Sequence, residues 1–89
     1  MFVSVTYDLS SDDTLKKVRE ILVFYGFSEV LKNVFETESI KDNTLKKLKR
    51  DIDRATDHFD KVRFYQYPYE ELFAITTLEK KKWKRMLFK

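Results

Sequence analysis

Residues 2–26 read FVSVTYDLSSDDTLKKVREILVFYG, a strand signal followed directly by a helix signal. From Phe2 to Leu9 apolar and polar side chains alternate, as in a strand that has one face on a core. Ser10 to Asp13 then supply oxygens that cap the first N–H groups of a helix, and Gly26 is suited to end it. Between these points apolar residues recur at i, i+3, i+7 and i+10, which predicts an amphipathic helix. These apolar positions are Leu15, Val18, Leu22 and Tyr25.

The same helix opening occurs twice in the chain. Residues 12–19 read DDTLKKVR, and residues 42–49 read DNTLKKLK. Two strand–helix–strand halves predict an α+β fold of ferredoxin-like type, a βαββαβ sandwich with two helices on one face of an antiparallel sheet. The similarity of the two segments could also arise by coincidence, because helix starts favour the same residue types. We expect a single domain over residues 1–89, with a body at 1–79 and a basic C-terminal tail at 80–89.

The remaining strands are predicted from apolar and β-branched runs. Residues 28–37 are interpreted as one strand, residues 60–67 as another that Pro68 stops, and residues 72–78 as a further one. The tail is interpreted as either an added strand or a docked segment. The sheet face opposite the helices carries mixed apolar and polar residues, which predicts a dimer surface.

The composition excludes several classes of protein. The chain has 89 residues and no cysteine, which excludes disulfides, thiol catalysis and cysteine-ligated zinc and favours a reducing cytoplasm. No apolar run approaches the roughly 20 residues of a membrane span, so we expect no membrane association. The N-terminus alternates and lacks an early positive charge, unlike a signal peptide.

Positive charge is concentrated at the C-terminal end. Residues 80–89 hold six of the 18 Lys and Arg residues and none of the 15 Asp and Glu residues. Such a segment can neutralise phosphates, although a merely solvated terminus would have the same composition.

Four short motifs occur in a particular order along the chain. The motifs are Tyr7-Asp8-Leu9, Tyr25-Gly26, Val34-Phe35-Glu36 and Asp60-Lys61-Val62-Arg63-Phe64-Tyr65. Their order and spacing resemble those of the CRISPR-associated protein two family, the smaller spacer-acquisition subunit of CRISPR systems, over roughly residues 1–67. The chain departs from the family at residues 29–33 (EVLKN), where the family strand often reads Arg-Val-Gln-x-Ser, and at Thr14 and Leu15, where basic residues are common early in helix 1.

The resemblance implies a homodimer that scaffolds spacer acquisition. Such a dimer holds double-stranded DNA or RNA and works with the integrase subunit, CRISPR-associated protein one. The alternative is a Mg²⁺-dependent endoribonuclease or endonuclease of the same fold, including toxin-like interferases. Asp8 matches the family's first-strand aspartate, the expected catalytic residue and Mg²⁺ ligand; alternatively, Asp8 caps the turn after the strand. An interaction domain without nucleic acid is a third hypothesis, which the basic tail disfavours.

The predicted nucleic-acid ligands are basic residues from three segments. A stripe on helix 2 repeats at i, i+4 and i+8, the tail adds five cations, and the resemblance adds the basic residue retained in helix 1. The alternative for helix 2 is a solvated face with Lys47–Asp51 and Lys49–Asp53 pairs. The candidates are Lys17, Lys46, Arg50, Arg54, Lys80, Lys81, Lys82, Lys84 and Arg85.

Overall fold

The computed structural model describes residues 1–69 and 72–88, with only the backbone at Tyr69. This part of the chain is α+β, with a six-stranded antiparallel sheet in the order β2-β3-β1-β4-β5-β6 and two helices. Neither described helix is long and apolar enough to cross a membrane. The strands are β1 (Phe2–Asp8), β2 (Ser28–Leu31), β3 (Val34–Thr37), β4 (Lys61–Tyr69), β5 (Leu72–Glu79) and β6 (Lys82–Phe88), and the helices are α1 (Asp12–Phe24) and α2 (Asp42–Ala55).

Both helices pack on the same face of the sheet. The alternation in β1 is confirmed, because Val3, Val5 and Tyr7 are buried while the residues between them are not. Buried side chains from α1, α2, β4 and β5 complete one apolar core on that side. We call the opposite side of the sheet the open face. On β1 the side chains of this face are Phe2, Ser4, Thr6 and Asp8. The helical core residues are Val18, Leu22, Leu45, Leu48 and Ile52.

The predicted boundaries of α1 are confirmed by its caps. The Ser11 hydroxyl accepts a hydrogen bond from the Thr14 backbone N–H at 3.1 Å, which satisfies one of the free donors of the first turn. At the other end Gly26 has φ +89°, a conformation that glycine adopts without steric cost. The strand-to-helix stretch that opens the chain therefore folds as its sequence predicts.

The prediction of a single strand over residues 28–37 is wrong. This segment is a hairpin of β2 and β3, with a turn at Lys32 and Asn33 and Leu31 paired to Val34. Asn33 has φ +63°, a left-handed conformation that asparagine tolerates better than most residues. The apolar content of the segment concealed a two-residue polar turn.

A bidentate ion pair ties this hairpin to α1. Arg19 donates two hydrogen bonds to the carboxylate of Glu29, each at 2.7 Å. Glu29 is one of the residues at which the chain departs from the motif pattern, and here it holds β2 against the helix.

Pro68 does not stop the strand that precedes it, so that prediction is also wrong. Strand β4 continues to Tyr69, and its pairing with β5 shifts register between Gln66 and Tyr69. Proline is tolerated in strands at such irregularities, because no ladder hydrogen bond is required of its nitrogen. Pairing with β1 has already ended at Tyr67.

The basic C-terminal segment is part of the sheet. Of the two predicted alternatives, the added strand is confirmed: β6 pairs with β5 from Glu79↔Lys82 to Phe73↔Phe88. Lys80 and Lys81 form the two-residue turn with φ +53° and +60°, values typical of a type I′ hairpin. Elements β1 to β4 follow the order β-α-β-β-α-β, and β5 and β6 add two strands beyond the predicted sandwich.

Candidate nucleic-acid interface

Asp8 ends β1 on the open face, where it is exposed and paired across the ladder with Lys61. Within residues 1–69 and 72–88 its carboxylate makes no hydrogen bond or ion pair. Two shallow clefts of about 260 and 460 Å³ meet at this residue, and Lys61 borders both. Since none of the described residues engages this exposed carboxylate, it is available for a ligand.

The alternative role considered for Asp8, capping the turn after β1, is performed by Asp60. One oxygen of the buried Asp60 carboxylate accepts hydrogen bonds from the Ser10 backbone N–H at 2.8 Å and its hydroxyl at 2.9 Å. The other accepts from the Asp57 backbone N–H at 2.8 Å. Burial by itself raises the pKa of Asp60, but the hydrogen bonds outweigh it and the net pKa is below the usual value.

Two cations that sequence reasoning did not assign flank Asp8. Lys61 and Arg63 alternate along β4 on the open face, and both line the smaller cleft with Thr6 and Tyr65. Arg63 donates through Nε to the Thr77 hydroxyl at 3.1 Å, which orients its guanidinium along the sheet. Both cations belong to the Asp60–Tyr65 motif, and the strand alternation within that motif is the signal that could have identified them.

Asp8 is the residue expected to hold Mg²⁺, but the described residues include no group of three or more His, Cys, Asp or Glu side chains placed to hold a metal. Mg²⁺ typically takes one or two carboxylates and keeps several waters. Asp8 supplies one carboxylate, which is within that range, and water and phosphate oxygens would be the further ligands.

The β5–β6 hairpin distributes its cations between three environments. Lys82 and Lys84 lie on the open face, paired with Glu79 and Thr77. Arg85 pairs with Thr76 and lies on the helix side. Lys80 is exposed at the turn and borders the larger Asp8 cleft.

Lys81 is a structural residue of this turn. Its ammonium contacts the carboxylate and backbone carbonyl of Asp53 and donates to the Thr56 carbonyl at 3.1 Å, which fastens the turn to the end of α2. The ammonium lowers the pKa of Asp53, and the Trp83 indole N–H, 2.8 Å from Asp53 Oδ2, contributes to the same shift. Lys81 therefore has fewer free donors for phosphate than its neighbours.

The helical candidates lie on the outer surface of the helices. Lys17, Arg50 and Arg54 are exposed there, and Lys46 is exposed and pairs with Asp42 at 3.3 Å. The structure thus separates the candidates into an outer helical group and a hairpin group.

The Lys47–Asp51 and Lys49–Asp53 pairs considered for α2 are absent from the described ion pairs. Asp51 instead accepts a hydrogen bond from the Tyr25 hydroxyl at 2.5 Å, and Asp53 binds Lys81. Lys49 turns inward and donates to Gln66 Oε1 at 2.7 Å.

Comparison with known proteins gives one family. No curated protein matched the chain. The family model described as CRISPR associated protein Cas2 matches residues 1–86, nearly the whole chain. The chain therefore belongs to the Cas2 family of CRISPR-associated proteins.

Proposed function

We propose that this protein is a dimeric, nucleic-acid-binding scaffold for CRISPR spacer acquisition, acting with the integrase subunit in the cytoplasm. The family match supports a CRISPR-associated role. The observation that carries the scaffold proposal is the open face, where one half is apolar and the other is rich in cations. On this proposal the β-α-β-β-α-β portion acts as a ferredoxin-like body, and β6 widens the face.

The apolar half of the open face has the properties of a subunit interface. Phe2 is paired with Tyr67, and Tyr65 with Ile75, so the apolar residues form rows across adjacent strands. The rings of Tyr65, Phe73 and Phe88 continue at centroid distances of 6.2 and 6.4 Å. Monomers rarely expose contiguous apolar surface of this kind. The most exposed members are Phe2 at 37%, Tyr67 at 52%, Met86 at 46% and Phe88 at 46%.

A second copy of the chain is the occupant that this half fits. A two-fold dimer uses the same patch on both protomers, so an apolar strip meets an apolar strip without leaving a charge unpaired. The cations lie at the other end of the strands and would remain at the border of the interface. A stable interface of this kind buries about 800 Å² on each partner.

The charged half of the open face is suited to phosphate. Lys61, Arg63 and Lys84 share it with Asp8 and Glu79, and Lys61 is 3.6 Å from Glu79. Lys61 and Lys84 are exposed and Arg63 is partly exposed, and surface cations of this kind bind a nucleic-acid backbone without reading its sequence. The outer helical group would provide a second such surface.

Metal-dependent cleavage of RNA or DNA is the second candidate function, and it is favoured by the exposed carboxylate of Asp8, for which the described residues provide no partner. In a two-fold dimer built through the open face, two Asp8 carboxylates would hold Mg²⁺ with water and phosphate oxygens. The ion would stabilise charge on the phosphodiester. Each chain would supply the Asp8 carboxylate, and its Lys61 and Arg63 would position the phosphates.

The test measures mass and nucleic-acid chemistry on the same sample. Light scattering gives the oligomeric state, and incubation with labelled duplex DNA and with RNA, with and without Mg²⁺, gives binding and cleavage. A dimer that binds duplex without cutting it supports the scaffold. Cleavage lost in Asp8→Asn supports the endonuclease, and a monomer that binds neither polymer contradicts both.

A further inference from the structure

On the helix side of the sheet, between α2 and β6, lies a cleft of about 300 Å³ separate from the Asp8 clefts. Lys49 enters it from α2, Thr76 forms its floor on β5, and Trp83 and Arg85 come from β6. Lys84 borders it. Register explains the meeting: Thr76 is paired directly with Arg85, and its neighbour two residues on, Leu78, with Trp83.

Two of the three N–H donors of the Lys49 ammonium have partners among the described residues. Its Nζ donates to Gln66 Oε1 at 2.7 Å and lies 3.4 Å from the Thr76 hydroxyl, which itself donates to Gln66 at 2.9 Å. An ammonium has three donors. Among the described residues no other hydrogen-bonding or ionic partner is found for it.

The acid whose charge acts on this ammonium is Asp42, which is itself paired with Lys46 at 3.3 Å. No acid occurs among the described residues that line the cleft, and Lys49 forms none of the described ion pairs. Asp53, the acid bonded to the Trp83 indole, is already occupied by Lys81. The Lys49 Nζ lies 5.5 Å from the Phe64 ring centroid and 5.9 Å from that of Trp83, so its sides face aromatic rings. Burial and the nearby charge of Arg85 lower the pKa of Lys49 to about 8.

We propose that this cleft is a binding site for a dianionic phosphate group, either free or at the end of a monoester, with Lys49 and Arg85 as the cationic ligands. A phosphate monoester carries close to two negative charges and several acceptor oxygens at neutral pH, which matches two adjacent cations and a spare N–H donor. The source is either free phosphate or nucleotide, or the 5′-terminal phosphate of a nucleic-acid strand. Its two proposed ligands, Lys49 and Arg85, lie on the helix side of the sheet, whereas the cations of the proposed function lie on the open face; Lys84 of that group borders the cleft but is not one of the two ligands.

Trp83 is the sole tryptophan of the chain and lines the cleft, so its fluorescence reports occupancy directly. The probe is inorganic phosphate, titrated at constant ionic strength against chloride so that screening is unchanged. We expect a saturable fluorescence change and a rise in melting temperature in wild type. Lys49→Met, which keeps the length and burial of the side chain, should weaken phosphate binding by about tenfold or more, because it removes a charged donor.

The matched control is Lys47→Met, which removes a charge from the exposed face of the same helix outside the cleft. This control should bind phosphate as wild type does. Because Lys49→Met also changes the surroundings of Trp83, the melting temperature serves as the second readout. Equal binding by all three proteins, or no saturable response in wild type, overturns the proposal.

Two oligonucleotides that differ only in a 5′-phosphate or 5′-hydroxyl separate the sources. Preference of wild type for the phosphorylated strand, lost in Lys49→Met, supports a strand terminus. Equal affinity for the two strands with phosphate binding retained supports free phosphate or nucleotide. Absence of the phosphate site with normal duplex binding overturns this inference and leaves the proposed function standing.

Discussion

Ser10 gives both its backbone N–H and its hydroxyl to the carboxylate of Asp60, at 2.8 and 2.9 Å, across 50 residues of sequence. The bond joins the turn after β1 to the residue that precedes β4. Because Asp60 fixes this turn, Asp8 two residues earlier is left without a structural partner among the described residues. The two carboxylates lie near each other at one end of the sheet and have opposite environments.

Asp60→Asn should destabilise the fold at neutral pH. The amide leaves one acceptor oxygen for the three donors that the carboxylate serves, so at least one buried N–H or hydroxyl loses its partner. We expect a loss of about 1–3 kcal/mol in the free energy of unfolding, measured by urea denaturation. An unchanged midpoint would contradict the role assigned to Asp60.

The pH dependence of that loss has a fixed sign. The pKa of Asp60 is lower in the folded protein than the ordinary 3.8, so its stabilisation is present above that pH and is lost as pH falls through the folded pKa. The stability difference between wild type and Asp60→Asn should therefore narrow below about pH 4. A constant difference across that range would show that the hydrogen bonds do not favour the charged carboxylate.

Asp8→Asn is the matched variant, and we expect it to change stability by less than about 0.5 kcal/mol, as exposed substitutions without partners do. If two Asp8 side chains meet Mg²⁺ in a dimer, the variant should lose Mg²⁺-dependent cleavage while keeping its mass and its affinity for duplex. The assay compares both proteins for cleavage and binding. Cleavage that survives in the variant would remove Asp8 as a catalyst.

Lys49→Met should be more stable than wild type at pH 7. The pKa of Lys49 is lowered from 10.5 to about 8, chiefly by burial and also by Arg85, with Asp42 opposing the shift. The unfolded chain therefore binds more protons between these values, and wild-type stability rises with pH there. We expect a gap on the order of 2 kcal/mol at pH 7, discounted for partial exposure, that closes between about pH 8 and 10.5. If the stabilities of wild type and Lys49→Met changed in parallel between pH 7 and 10.5, the folded protein would not disfavour the charged form of Lys49.

We expect some cations of the β5–β6 hairpin to bind nucleic acid and Lys81 to stabilise the fold. Removing charge at Lys80, Lys82 and Lys84 by substitution with Gln should weaken duplex binding and lower its salt slope by up to about 0.9 for each phosphate that is no longer neutralised. Deleting residues 80–89 is a poorer test, because it removes β6 from the sheet. Lys81→Gln should instead lower the melting temperature, since Lys81 fastens the turn to α2. Equal salt slopes for wild type and the triple variant would exclude the hairpin as a phosphate surface.

The sequence predicted best those features that depend on neighbouring residues. The alternation of β1 and the Ser11 cap of α1 are local patterns, and both are present in the structure. The turn at Lys32 and Asn33 was missed because it interrupts an apolar run without glycine or proline. Pro68 alone predicts a strand end, because a proline within a strand is tolerated here only through the register shift with β5, which the sequence of β4 does not reveal.

The candidate site could be predicted only in part, because it too depends on contacts between residues far apart in sequence. Asp8 was identified by its motif, but the absence of a partner for it depends on Asp60, which is 52 positions away. The inward turn of Lys49 depends on Gln66 and Thr76, which lie on two other strands. Such contacts between separate strands and helices follow from tertiary packing. Helix periodicity alone instead predicts the surface pairs Lys47–Asp51 and Lys49–Asp53.

The proposed dimer, in which the open face joins two copies of this chain, can be tested with two matched variants. Met86 and Phe24 provide a matched pair, since both are exposed apolar residues, Met86 on the open face at 46% and Phe24 on α1 at 81%. We would measure the mass of wild type, Met86→Glu and Phe24→Glu by light scattering, with circular dichroism to verify folding. We expect dimers for wild type and Phe24→Glu and a folded monomer for Met86→Glu, because burying two unpaired carboxylates in the apolar half of the open face opposes association. A dimeric Met86→Glu protein, or a monomeric wild type at micromolar concentration, would contradict it.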